Sequence, residues 1–120
     1  MKLITVLFIV NASLLLLHEI ESAYEKEWEI LKLPGRVTGF LILHIPIILL
    51  MFYGVIEIER LSIVGKIIGI IFGVGGIVPL FVHKVLVYRK EKFNLVISNI
   101  IIYSNAVIGV CTLIYAMSLP

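Results

Sequence analysis

The chain has 120 residues, 61% of them hydrophobic, a mean hydropathy of +1.15 and a net charge of +2. A soluble domain is usually about 45–50% apolar. The excess excludes an ordinary soluble core, and so small a charge leaves no footprint for a nucleic-acid partner. The length allows one domain, and the single cysteine, Cys111, excludes an internal disulfide. Cys111 lies in an apolar run beside Thr112 and reads as a small buried residue rather than a reactive thiol.

A transmembrane helix needs roughly 20 mostly apolar residues. The first such span is residues 3–20, "LITVLFIVNASLLLLHEI". A cleaved signal peptide competes for this stretch, with Lys2 as its n-region. Cleavage after Ala23 would put Glu21 at the −3 position, where a small residue is wanted, and no A-x-A occurs elsewhere, so a membrane span is preferred. Residues 21–36, "ESAYEKEWEILKLPGR", then mix Tyr24, Trp28, Ile30, Leu31 and Leu33 with charges. That is the pattern of an amphipathic segment at the membrane surface. Pro34-Gly35 breaks any helix before the next span.

The second span is residues 37–56 and carries His44, followed by Pro46, which should kink the helix and free a carbonyl. "EIER" (57–60) is short enough for a tight helical hairpin. The third span, 61–83, has a glycine ridge of Gly65, Gly69, Gly73 and Gly76, the small-xxx-small pattern that lets helices approach closely. His83 falls seven residues after Gly76 and caps that ridge. The linker "HKVLVYRKEKFN" leads to the fourth span, 95–117, with Ser98, Asn105 and Thr112 at heptad spacing and Gly109 four residues after Asn105.

These elements predict an all-α fold: a four-transmembrane-helix bundle, one membrane domain spanning 1–120, multi-pass in the cell membrane with the lipid bilayer as its partner. Lys26, Lys32, Arg36, Lys84, Arg89, Lys90 and Lys92 fall on one membrane side, against Lys2, Arg60 and Lys66 on the other. The positive-inside rule puts the first and third linkers in the cytoplasm and both termini outside.

The polar residues sharpen the picture. Asn11, His18 and Glu25 recur every seven residues, and Glu21 is three beyond His18, so one helical stripe reads Asn11, His18, Glu21, Glu25. Glu19 falls off that stripe. Four alternating spans bring His18, Glu21, His44, His83, Asn94 and Ser98 to one half of the bundle, with His44 deepest, about 10 Å in at 1.5 Å per residue. An ionisable residue within the hydrocarbon is a functional candidate by default. The bland readings are that His18, Glu19 and Glu21 mark the water boundary, and that Asn11 and Asn105 are interhelical hydrogen-bonding residues.

Motif tests are mostly negative. "HEIES" has no second histidine four residues after His18, so it is not the H-E-x-x-H zinc motif. No G-x-S-x-G elbow occurs. His18 and Glu21 at i, i+3 have the spacing of a carboxylate–histidine metal site in a helix bundle. The same spacing suits a proton-sharing pair.

"HEIE" (His18 to Glu21), "LPG" (Leu33 to Gly35) and "HKVLVYRKEKFNLVIS" (His83 to Ser98) together resemble the HXXEE family of small bacterial multi-helix membrane proteins. Ser22 stands where that family has its second glutamate. Phe93 and Asn94 match a further family segment whose Pro-Gly is missing here. The resemblance implies a membrane protein with a His/Glu site and no established biochemical activity.

Three functions fit these features. The first is a polar site open to the cytoplasmic half that binds a divalent metal or a small polar ligand or supports hydrolysis. Glu21 and His18 are its candidate catalytic pair, and His18, Glu21, His44 and His83 its candidate metal ligands. The second is a small proton-coupled transporter or channel-like homo-oligomer. The third is a structural or accessory membrane subunit that docks through the glycine ridge.

Overall fold

The computed structural model describes residues 1–24, 34–82 and 96–120. Among these residues the chain is all-helical, with no strand. It forms α1 (Leu3–Tyr24), α2 (Arg36–Glu59), α3 (Ile63–Phe81) and α4 (Val96–Met117). All four helices are long and apolar enough to cross a membrane. At 1.5 Å per residue they measure roughly 28–36 Å, against a hydrocarbon core of about 30 Å.

Local chemistry sets the ends. α1 runs past residue 20 to Tyr24, because no breaker precedes Pro34, so the first residues of the expected surface segment are helical. Trp28, Leu31 and the rest of that segment up to Leu33 lie outside the described residues. α2 starts after Pro34-Gly35, where Gly35 has φ 85 and a Cβ would meet Gly39 Cα at 2.9 Å. Only glycine takes that turn without strain.

The hairpin between α2 and α3 turns over residues 60–62 rather than 57–60. The Leu61 N–H donates to Ile58 O at 3.0 Å and the Ser62 N–H to Glu57 O at 3.2 Å. With Leu61 at φ 54 this is the paired closure that ends a helix through one left-handed residue. Ser62 then starts α3: its Oγ accepts the Gly65 N–H at 2.9 Å and donates to Glu57 Oε2 at 2.6 Å. One serine thus serves both helix ends.

The helices alternate in direction. Thr5 of α1 and Lys2 just before it meet Glu59 at the end of α2, while Glu19 meets His44 near its start. Lys66 of α3 reaches Leu119 just beyond α4. The glycine ridge forms the α3–α4 contact. A Cβ on Gly73 would lie 2.8 Å from Leu113 N, and one on Gly109 would lie 2.8 Å from Gly73 O, so backbone packs on backbone. α1 packs on α4, α3 and α2, whereas α2 lies at the side against α3 and α1.

The apolar core is built from Ile4, Phe8, Ala12, Met51, Ile58, Ile68, Phe72 and Ala116, with Phe8 and Phe72 edge to face at 5.5 Å. Large apolar side chains such as Leu41, Leu49, Phe52, Ile63, Val107 and Ile114 point outward. A water-facing bundle would carry polar residues there. Cys111, expected to be buried, is exposed. Thr112 takes the inward position at 0% exposure, and the helical turn between neighbours sends Cys111 out.

Candidate functional site: a carboxylate between two histidines

The last turns of α1 hold His18, Glu19 and Glu21. His18 is buried. Glu19 and Glu21 are two residues apart, so their side chains leave the helix about 200° from one another. They consequently reach different neighbours. Glu21 accepts a hydrogen bond from Ser98 Oγ of α4. Glu19 reaches α2, where its Oε2 lies 2.6 Å from His44 Nε2. Its other oxygen, Oε1, lies 4.0 Å from His18 Nε2. One carboxylate therefore stands between two histidines from two helices.

His44 is held at both ring nitrogens. Nδ1 lies 2.6 Å from Phe40 O, one turn earlier in α2, and the Phe40 ring lies against the imidazole with centroids 4.2 Å apart. A carbonyl oxygen can only accept, so Nδ1 carries a hydrogen. The 2.6 Å contact at Nε2 also needs a hydrogen, because a bare ring nitrogen and a carboxylate oxygen are both acceptors. That hydrogen rests either on Nε2, giving imidazolium and carboxylate, or on Oε2, giving neutral imidazole and carboxylic acid. The heavy-atom positions serve both forms. The pair is half-enclosed, with side-chain exposures of 14% for His44 and 26% for Glu19. Two residues on, Pro46 has no N–H, so the Ile42 carbonyl lacks its usual helical donor.

The placement differs from the stripe expected in sequence. His18 and Glu21 share α1, but the Glu21 carboxylate is engaged by Ser98, and Glu19 is the acid that meets His44. His83, Glu25 and Asn94 lie outside the described residues. Among the described residues no three His, Cys, Asp or Glu side chains come together as a metal-holding group. The missed residue had one legible signal. α1 and α2 follow one another in sequence, so an acid near the end of α1 was an available partner for a histidine near the start of α2.

Two more polar layers follow along the bundle. Midway, Asn11 Nδ2 donates to Phe72 O at 2.7 Å, and Asn105 and Thr112 are fully buried on the inner face of α4. At the far end Glu59 accepts from Thr5 Oγ1 at 2.7 Å and from the Lys2 backbone N–H at 3.0 Å, with Lys2 Nζ at 3.5 Å. Glu57 there pairs with Arg60 at 3.2 Å.

Four alternating apolar helices with polar groups turned inward define a small polytopic helical protein of membrane-spanning proportions. The chain belongs to a family of unknown function, DUF6713, whose family model matches residues 4–119. No curated protein and no solved structure matches it. The family match does not link the chain to the HXXEE family.

Proposed function

We propose that this is a multi-pass membrane protein that binds and releases a proton at the Glu19–His44 pair, and that it acts as a small proton-coupled transporter. The observation that carries the reading is the pair of 2.6 Å contacts at His44, one to a carbonyl and one to a carboxylate. Those contacts hold one transferable proton between α1 and α2. When it leaves, the Nε2 lone pair faces a carboxylate, and the two repel across the helix contact. Proton release is thereby coupled to loosening α1 from α2 at this end, the kind of charge-driven change a transporter requires.

The metal reading, with His18, Glu21, His44 and His83 as ligands and Glu21 as a hydrolytic base, draws less support. Both nitrogens of His44 are already engaged, and Glu21 is engaged by Ser98. A metal would have to displace these bonds.

Infrared difference spectra of the lipid-reconstituted protein between roughly pH 4 and 9, a range that brackets ordinary Glu and His titration, test the proposal. A carboxyl band that is absent from Glu19→Gln should change together with an imidazole band that is absent from His44→Gln. Proteoliposomes carrying a pH dye should show a proton leak under an imposed gradient that falls at least tenfold in Glu19→Gln. Stoichiometric divalent metal in the purified protein, or spectra and leak unaltered in both variants, would remove the reading.

A further inference from the structure

α1 and α2 are tied at both ends, by Glu19 and His44 at one and by Thr5 and Glu59 at the other. Between the ties runs a cleft of about 540 Å³. Ala12 and Met51, both buried, form its floor, and Ser13 of α1 and Phe52 of α2, both exposed, stand on its rims. The sequence makes the cleft by putting two short side chains, Ala12 and Ser13, between Ile9 and Leu16 on the face of α1 turned to α2. Ser13 donates its hydroxyl to Ile9 O at 2.8 Å, so the cleft offers almost pure hydrocarbon. Toward the Glu59 end, Val55 and Ile56 also line a second hollow, which reaches Thr5, Glu59 and Arg60. One groove therefore leads from a charged mouth to an apolar depth.

Its dimensions choose the occupant. Thr5 to Leu16 covers about 16 Å along α1 at 1.5 Å per residue, and one leaflet takes about 15 Å of a hydrocarbon core of about 30 Å. The apolar part, Ile9 to Leu16, is about 10 Å long, so its cross-section is roughly 50 Å². A helix with its side chains is about 10–12 Å across and needs roughly 80–110 Å². A polymethylene chain enters such a groove and a further helix does not.

The mouth recognises the other half of the same molecule. Glu59 is engaged by Thr5 and Lys2, and Glu57 turns inward to Ser62. The Lys2 and Arg60 side chains remain 47% and 70% exposed, and Arg60 gives an N–H to Glu57 out of the five a guanidinium carries. Two cations with donors to spare, at the membrane-boundary end of an apolar groove, suit a phosphodiester.

The geometry points to a phospholipid site: one acyl chain lies between α1 and α2 over Ala12 and Met51, and the phosphate meets Arg60 and Lys2. The site rests on the chain spanning a membrane, and it does not depend on proton exchange at Glu19 and His44.

Native mass spectrometry of the purified, delipidated full chain, titrated with dioleoyl phosphatidylglycerol in detergent, tests it. One lipid per chain should be retained after the rest have been stripped. Dioleoylglycerol, which lacks the phosphate, should bind at least tenfold more weakly, and glycerol 3-phosphate, which lacks the chains, should not compete. Ser13→Trp fills the cleft from the α1 rim and should abolish retention. Ile56→Trp does the same from α2, should Ser13→Trp fail to fold. Arg60→Gln should weaken binding at least fivefold, whereas Ile114→Trp, on the outward face of α4, should bind as wild type does. Lipids that strip off together with none retained would overturn the site, since that is the behaviour of an ordinary lipid annulus. Retention unchanged in a folded cleft-filling variant, or dioleoylglycerol held as tightly as the phospholipid, would overturn it as well. So would a lipid-free dimer that Ser13→Trp and Ile56→Trp dissociate, because the groove would then be covered by a second copy of the chain.

Discussion

Glu19 and Glu21 show how much two positions on a helix decide. Both are acids at the end of α1, yet one meets a histidine of α2 and the other a serine of α4, because two residues turn the side chain by about 200°. The roles of the two contacts differ. The bond from Ser98 joins an ordinary donor to an acceptor. The Glu19–His44 contact joins two groups that are both acceptors until a proton is added, so its existence depends on the proton. This gives a contrast between variants. Glu19→Gln can still donate its amide hydrogen to a neutral His44 Nε2, so its unfolding in detergent should stay within about 1 kcal/mol of wild type. Glu19→Leu leaves that nitrogen without a partner and should cost about 1–3 kcal/mol. Equal losses in the two variants would mean that the contact contributes packing alone.

At the scale of elements, the glycines of α3 are not equivalent. A Cβ on Gly73 meets the Leu113 backbone at 2.8 and 2.9 Å, where nothing can yield without moving a helix. On Gly69 it meets the Ala116 methyl at 3.1 Å, and on Gly75 only Leu15 Cδ2 at 3.8 Å, an ordinary contact. Gly73→Ala should therefore destabilise the bundle by about 1–3 kcal/mol, the usual range for overpacking. Gly69→Ala should cost less, and Gly75→Ala should be neutral or slightly stabilising, because alanine is the better helix former. Thermal or denaturant unfolding in one detergent would rank the three. A Gly75 effect as large as that of Gly73 would show that glycine acts through helix propensity rather than close approach. The hairpin follows the same logic: Ser62 and Leu61 fix how α3 leaves α2, and so set which face the ridge presents to α4.

For the whole molecule, the charge distribution sets the expected orientation. Residues 84–92 carry four basic residues, against Lys2, Arg60 and Lys66 at the other end. If the chain inserts with the more basic side inward, the Glu19–His44 pair faces the cytoplasm and the Lys2–Glu59 and Glu57–Arg60 pairs face out. Native Cys111 is exposed, so it is first replaced by serine. A cysteine at position 89 should then resist an impermeant thiol reagent in intact cells, while one at position 60, where the Arg60 side chain is 70% exposed, should react. The reverse labelling would invert the molecule in the membrane without altering its helices.

Much of this protein is written in its sequence. The apolar lengths give the number of helices, since a segment that must satisfy its backbone in lipid has few alternatives. The glycine repeat gives the close face of α3, and the heptad Ser98, Asn105, Thr112 gives the inner face of α4, because both rest on periodicity within one helix. Periodicity also placed Asn11 and His18 on the buried side of α1. It could not choose partners between helices. Glu19 drops off the stripe and yet reaches His44; Glu21 is on the stripe and goes to Ser98; Cys111 lies in an apolar run and faces outward. Those outcomes depend on the relative rotation and height of neighbouring helices. The Ser62 hairpin, the Gly73–Leu113 backbone contact and the lateral position of α2 fix these together, and they exist only once all four helices are packed.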